Sequence, residues 1–249
     1  EDEEPIGRIL DTFHEEHPDI IIKYIPYLDY STLLNSQLES GVGPDLFYLQ
    51  SYSSSRPLFE DGYLEPLDNI AGLEDSFTSS SLSPWQATSG ELYGIPFLAV
   101  SHGVYFNQDI FTELNLSIPA TWQEWLNAAE TIQEAGYIPI SNASGQTDSF
   151  VEEVFMSLVP NFIGGEEGRL AYQRGERCFD DEHVVAAFQA IADLAPYLPP
   201  NGSELTSHDS KQLFLSGKAA MMVGGSWDIT LFETSQPEFK WSIFAVPPP

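Results

Sequence analysis

Short β-branched and aromatic runs alternate with segments whose apolar residues recur at helical spacing, and this alternation constrains the fold more than any other feature. Ile6, Ile9, Leu10 and Phe13 form one helical stripe behind Pro5. His17-Pro18 ends that helix, and Ile20-Ile21-Ile22-Lys23-Tyr24-Ile25 follows as a run suited to a buried strand. Ser31 is placed to cap the next helix, which turns Leu33, Leu34 and Leu38 inward and stops at Gly41. Pro44-Asp45 then opens a second apolar run, Leu46-Phe47-Tyr48-Leu49. Strands joined by helices predict an α/β fold on a mainly parallel sheet.

Residues 51–89 are rich in Ser, Pro, Gly and acidic side chains, with short helical pieces. Residues 90–97 and 100–107 predict two strands separated by a bend. Thr121 and Glu124 have capping-box spacing, and Trp122, Trp125, Leu126, Ala129 and Ile132 share the face behind them until Gly136. Further helices are expected over 149–160, over 181–196 with Val184, Val185, Phe188, Ile191, Ala192 and Ala195 inward, and over 208–216, closed by Gly217. Strands at 219–223 and 241–246 complete the pattern before Pro247-Pro248-Pro249. The pattern predicts two lobes, divided near 102–109 and again near 229–241.

Charge narrows the partners. The chain of 249 residues carries 38 Asp+Glu against 9 Lys+Arg, a net charge of −29. Its basic residues are scattered singly, which argues against nucleic acid and anionic lipid, because gripping phosphates needs Lys/Arg clusters. A field of this sign favours cations or leaves a neutral ligand indifferent. Hydrophobic residues at 42% and aromatics at 13% exclude acidic disorder. No stretch of about 18 apolar residues appears, so no membrane insertion by this segment is expected. Glu1-Asp2-Glu3-Glu4 is the opposite of a basic leader. The lone Cys178 rules out an intrachain disulfide and reads as a packing residue.

Catalytic signatures are missing: there is no Gly-x-Ser-x-Gly elbow, phosphate loop or dinucleotide fingerprint, and no cofactor is expected. His14 and His17 lack zinc spacing to other ligands and read as an exposed helix end, so no metal site is expected. Glu15-Glu16, Glu152-Glu153 and Asp180-Asp181 could supply glycosidase carboxylates. That chemistry needs two carboxyls held roughly 5–10 Å apart across a sugar, and solvated faces explain the pairs better.

Strand ends are more informative, since ligands of open α/β sheets bind beyond the carboxyl ends of strands. After Leu49 come Ser51, Tyr52, Ser53 and then Arg56; after Phe97 come Ser101 and His102; after Val223 come Gly224, Gly225, Ser226, Trp227 and Asp228. A sugar suits such groups: its hydroxyls take fixed donors and acceptors, while its C–H faces lie on aromatic rings. Trp227 beside Asp228 offers both after two glycines that permit close approach. The competing reading has Trp227 covering a core and Asp228 capping the next helix. Turn packing explains Tyr52 and His102 nearly as well, and a structural salt bridge explains Arg56. Trp122 and Trp125 read as core, whereas Trp85 is a candidate cleft residue.

Several segments resemble, in family order, the extracellular solute-binding proteins of ABC importers, in the carbohydrate-binding group that includes maltose-binding protein. They are His17-Pro18-Asp19-Ile20, Gly43-Pro44-Asp45-Leu46-Phe47, Asp61-Gly62-Tyr63-Leu64-Glu65-Pro66-Leu67 and Leu92-Tyr93-Gly94-Ile95-Pro96-Phe97. Val104-Tyr105-Phe106-Asn107-Gln108-Asp109-Ile110-Phe111, Pro119-Ala120-Thr121-Trp122-Gln123-Glu124-Trp125, Phe214-Leu215-Ser216-Gly217-Lys218-Ala219-Ala220-Met221 and Gly225-Ser226-Trp227 continue the series.

The resemblance implies a periplasmic-binding-protein-like fold of two α/β lobes, with hinge crossovers and a sugar clamped between them. One lobe takes residues 1–103 and 236–249, the other 104–235. It implies delivery of the sugar to a membrane permease by a monomeric receptor that is extracellular or periplasmic, with room for a lipid anchor. Trp227 matches a sugar-stacking position, Ser51 to Ser53 a polar loop, and Ser101 and His102 a crossover that carries a carboxylate elsewhere in the family. Asn142 to Asp148, and Phe162 with Ile163-Gly164-Gly165, fall in cleft-facing loops. Family members begin with a strand ahead of the first helix and continue past the proline triplet, so the chain is expected to be a fragment truncated at both ends, its first sheet uncovered. Rival readings are a glycoside-active enzyme, or the same fold carrying a polyamine or metal ion.

Overall fold

The computed structural model of the chain describes residues 3–27, 29–145 and 150–249. It divides into two compact units, Glu1–Leu98 and Ala99–Pro249.

The first unit holds helices α1 (Glu3–Glu16), α2 (Tyr30–Glu39), α3 (Arg56–Glu60), α4 (Leu73–Ser76) and α5 (Ser79–Leu82). Single 3-10 turns lie at Tyr52–Ser54 and Ser83–Trp85. Its buried residues include Leu34, Ala87, Leu92 and Tyr93, the last stacked on Phe59 at 5.1 Å and paired through its hydroxyl with Ser55 at 3.3 Å. The expected strands at 20–25 and 46–49 do not form, and neither does one at 90–97, where the ladder shrinks to a bridge between Gln86 and Leu92. Ile21 stands 80% exposed and Leu46 82% exposed. Local propensity selects an extended backbone, but a strand exists only where a neighbour supplies its ladder bonds. Ile9, expected inward on α1, is also exposed. Asp29 rather than Ser31 precedes α2, and it makes no side-chain cap bond.

The second unit is built on strands β1 (His102–Asn107), β2 (Ile138–Ile140), β3 (Ala219–Gly225) and β4 (Trp241–Phe244), in the order β2-β3-β1-β4. Only β2 and β3 run parallel; β1 is antiparallel to both β3 and β4. The sheet is therefore mixed rather than mainly parallel. Apolar runs reveal strands but not their direction, which depends on partners far apart in sequence, such as Val104 with Val223 and with Phe244. That last pairing also places the tail in the second unit, whereas residues 236–249 were expected with the first lobe.

Among the described residues the second unit also holds seven helices: α6 (Gln108–Glu113), α7 (Trp122–Glu134), α8 (Met156–Ile163), α9 (Gly165–Gln173), α10 (Glu182–Leu194), α11 (Ser207–Leu215) and α12 (Ile229–Ser235). Thr121 caps α7 by accepting from the Glu124 amide at 3.3 Å, and Glu124 accepts from the Ala120 amide at 2.8 Å. Trp122, Trp125, Ala129 and Ile132 then enter the main core with Val104, Phe106, Met221, Val223 and Phe244. Each large apolar side chain buried there contributes roughly 1.5–3 kcal/mol. A π turn, Val151–Phe155, precedes α8. On α10 the buried face carries Val184, Ala187, Ala190 and Leu194, while Val185 and Phe188 are exposed. Small alanines let α10 lie close on α8; of the bulky stripe expected inward, Val184 is buried and Ile191 packs on the core as expected.

Candidate functional site

Antiparallel pairing of β1 with β3 sets His102 opposite Gly225, so the start of one strand meets the end of the other. The backbones are tied just beyond the ladder. The Ser226 amide donates to the Ser101 carbonyl at 2.9 Å, and the Ser101 amide donates to Ser226 Oγ at 3.3 Å. Four candidates from distant parts of the sequence thus come together: Ser101, His102, Ser226 and Trp227. The Trp227 indole is 39% exposed and meets the His102 ring edge-on, with centroids 5.1 Å apart.

The two glycines make this arrangement possible. A Cβ on Gly225 would sit 2.2 Å from Trp227 Cζ3, so the indole folds back over a backbone that must be bare. A Cβ on Gly224 would lie 2.7 Å from Asp228 Oδ2.

Asp228 is buried in the turn, and its side chain makes no cap bond to the next helix, the structural part expected for it. It is 1% exposed, with Oδ1 on Lys211 Nζ at 2.7 Å and Oδ2 accepting from the Gly225 amide at 3.3 Å. It braces the turn from beneath instead of facing a ligand. Tyr105 adds a second brace, its hydroxyl donating to the Gly225 carbonyl at 2.6 Å. Burial, with the Asp228 charge nearby, pushes the Tyr105 phenol pKa up and keeps that donor protonated.

Next to this brace lies Glu153, 8% exposed and not on a solvated face. It accepts from Ser207 Oγ at 3.0 Å and from Asn142 Nδ2 at 3.3 Å. Asn142 also extends the β2–β3 ladder with its side chain, accepting from the Val223 amide at 2.8 Å and donating to the Val223 carbonyl at 2.7 Å. Burial raises the Glu153 pKa; Ser207 and Lys211 lower it, and Asp228 raises it. A carboxyl whose folded pKa lies above its unfolded value binds its proton more tightly in the native state, so its contribution to stability falls as pH rises. Glu153→Gln is therefore expected to gain stability relative to the native chain as pH rises from the ordinary glutamate range, about pH 4, towards neutrality. Urea unfolding at several pH values measures this, and a pH-independent difference would contradict the burial penalty.

The remaining candidates lie elsewhere. Ser51, Tyr52 and Ser53 form a turn in the first unit, where Tyr52 holds a left-handed φ of 57°. Arg56 opens α3; it makes no ion pair among the described residues, and its Nε is buried without a hydrogen-bond partner. The expected salt bridge is absent there. Trp85 is half-buried against Gly94, where a Cβ would come within 2.8 Å of the indole. Phe162 packs on the core against Trp122, with ring centroids 5.7 Å apart. Asp148 lies outside the described residues. Cys178 is exposed and not a packing residue. Among the described residues no three His, Cys, Asp or Glu side chains gather as metal ligands, and no helix is long and apolar enough to cross a membrane.

Sequence reasoning missed Ser157, Lys211 and the buried state of Glu153. Glu153 and Ser157 stand one helical turn apart, a spacing that places both on one face and was readable. Lys211 left no such trace.

Known proteins share this architecture. The multiple sugar-binding protein of Streptococcus mutans is 22% identical over 97% of this chain and 59% of its own length. The galactooligosaccharide-binding protein of Bacillus subtilis is 25% identical over 94% of the chain and 56% of its length. The apo form of RafE from Streptococcus pneumoniae superposes with a TM-score of 0.83 at 24% identity, covering 99% of this chain and 64% of that one. The chain thus spans between 56% and 64% of the length of these longer proteins. The family described as bacterial extracellular solute-binding protein matches residues 2–249, and the chain belongs to that family.

Proposed function

We propose that the chain is part of an extracytoplasmic receptor that binds a neutral sugar or oligosaccharide and passes it, unreacted, to the membrane permease of an ABC importer. The observation that carries this reading is Trp227, held half-open beside His102 and flanked by Ser101 and Ser226. A ring, an imidazole and two hydroxyls suit a polyol, which pairs C–H faces with hydroxyls. The relatives' names, multiple sugar-binding and galactooligosaccharide-binding, support the same ligand class. A hydrolytic role finds no support in the nearby carboxylates: Asp228 is held by Lys211 and Glu153 by Asn142 and Ser207. The net charge of −29 kept a cationic cargo in view, but the groups gathered at the turn are hydroxyls and rings.

Titration calorimetry with raffinose, galacto-oligosaccharides and xylo-oligosaccharides, beside spermidine and calcium, tests the reading. Saturable binding of at least one sugar is expected, with that sugar recovered intact by chromatography. A sugar at 100 times its Kd would add about 2.7 kcal/mol of stability in parallel thermal unfolding. Turnover of the sugar, or binding of a cation alone, overturns it.

A further inference from the structure

The geometry points to His102 as the residue that sets the polarity of the ligand's hydrogen bond: Ser157 locks its proton on Nδ1, and Nε2 presents an acceptor to a ligand hydroxyl. This deepens the carbohydrate reading and rests on it.

The assignment follows from counting protons. Ser157, at the start of α8, donates its hydroxyl to the Glu153 carbonyl one turn earlier. A carbonyl only accepts, so the single hydroxyl proton is committed there. Towards His102 Nδ1, 2.8 Å away, Ser157 has only lone pairs to offer. The histidine must therefore donate, and in a neutral imidazole a proton on Nδ1 leaves Nε2 as an acceptor. Nε2 has no hydrogen-bond partner among the described residues, and it belongs to the ring that meets the exposed Trp227 indole.

A sugar hydroxyl donating to Nε2 would fit beside a C–H face resting on Trp227. A ligand offering only an ether or carbonyl oxygen there would face acceptor against acceptor and leave both unpaired. His102 thus selects for a donor, and Ser157 acts as its positioning residue.

Long-range proton–nitrogen correlation spectra of protein carrying nitrogen-15 histidine, recorded without sugar near pH 8, above the usual histidine range, read the tautomer directly. His102→Gln identifies the His102 signals among the five histidines. The native spectrum is expected to show protonated Nδ1 and bare Nε2. Ser157→Ala should move His102 towards the opposite tautomer, and Ser157→Thr, which keeps a hydroxyl, should restore the native pattern. A native Nε2–H tautomer, or a Ser157→Ala spectrum identical to the native one, overturns the lock. Raffinose affinity, where native protein binds it, should fall about tenfold in Ser157→Ala; an unchanged affinity overturns the acceptor role. Because the tautomer is read on unliganded protein, failure of every sugar to bind would overturn the carbohydrate reading and the ligand role of Nε2 together, while the spectrum still decides the lock.

Discussion

Trp227→Ala is expected to weaken carbohydrate binding on the order of 100-fold, at a smaller cost in stability. A buried aromatic anchor at a binding surface is worth about 2–3 kcal/mol, and about 1.4 kcal/mol corresponds to each factor of ten. The indole is 39% exposed in the free chain, so most of its surface is covered, and its removal should also cost about 1–2 kcal/mol of stability. Its ring contacts His102, and its edge lies over Gly225, so the variant loses a platform rather than a packed interior. Trp227→Phe should keep part of the affinity, since a smaller ring still offers a face. Calorimetry with the best sugar of the panel, beside urea unfolding of the same proteins, separates the two effects. An alanine variant that binds within about threefold of the native chain would remove Trp227 from the site.

Trp227 was legible as a candidate because two glycines, a hydroxyl and an indole at a strand end form a local pattern. The companion residues were legible one at a time. That Ser101 and His102 would meet Ser226 and Trp227 depends on the register of β1 against β3, which no local pattern encodes. Asp228 was read as a ligand contact or a cap for the next helix, where its side chain makes no bond, and its actual partner was invisible: Lys211 lies on α11, and only the folded chain brings them within 2.7 Å. The elements follow the same rule. The helix at 122–134 was readable from cap to glycine because its signals are internal to it. The runs at 20–25 and 46–49 have equally strong propensity, yet they form no strands, because pairing is a property of two segments and propensity of one. On α10 the stripe was right at Val184 and Ile191, but elsewhere burial followed the small residues Ala187 and Ala190, which permit close approach, instead of the bulky Phe188.

The Lys211–Asp228 pair yields the largest expected loss of stability. Lys211→Met should cost about 3–5 kcal/mol, because it strands a carboxylate that is 1% exposed and, among the described residues, has only the Gly225 amide left to accept from. With an m-value of about 1–3 kcal/mol per molar urea, the unfolding midpoint should drop by roughly 1 M or more. Asp228→Asn should cost less, and this asymmetry is the sharper test. The Lys211 side chain is 21% exposed, so its ammonium can turn to water or towards Glu153, whose pKa already senses it. The double variant, Lys211→Met with Asp228→Asn, removes both charges and should recover much of the loss, giving a coupling of the kind expected for groups in contact. Asp228 also holds the amide of the residue over which Trp227 folds, so the single lysine variant should weaken sugar binding even under conditions where it stays folded. Equal costs for the two single variants would show that the aspartate reaches water after all, and the turn beneath Trp227 would then need another support.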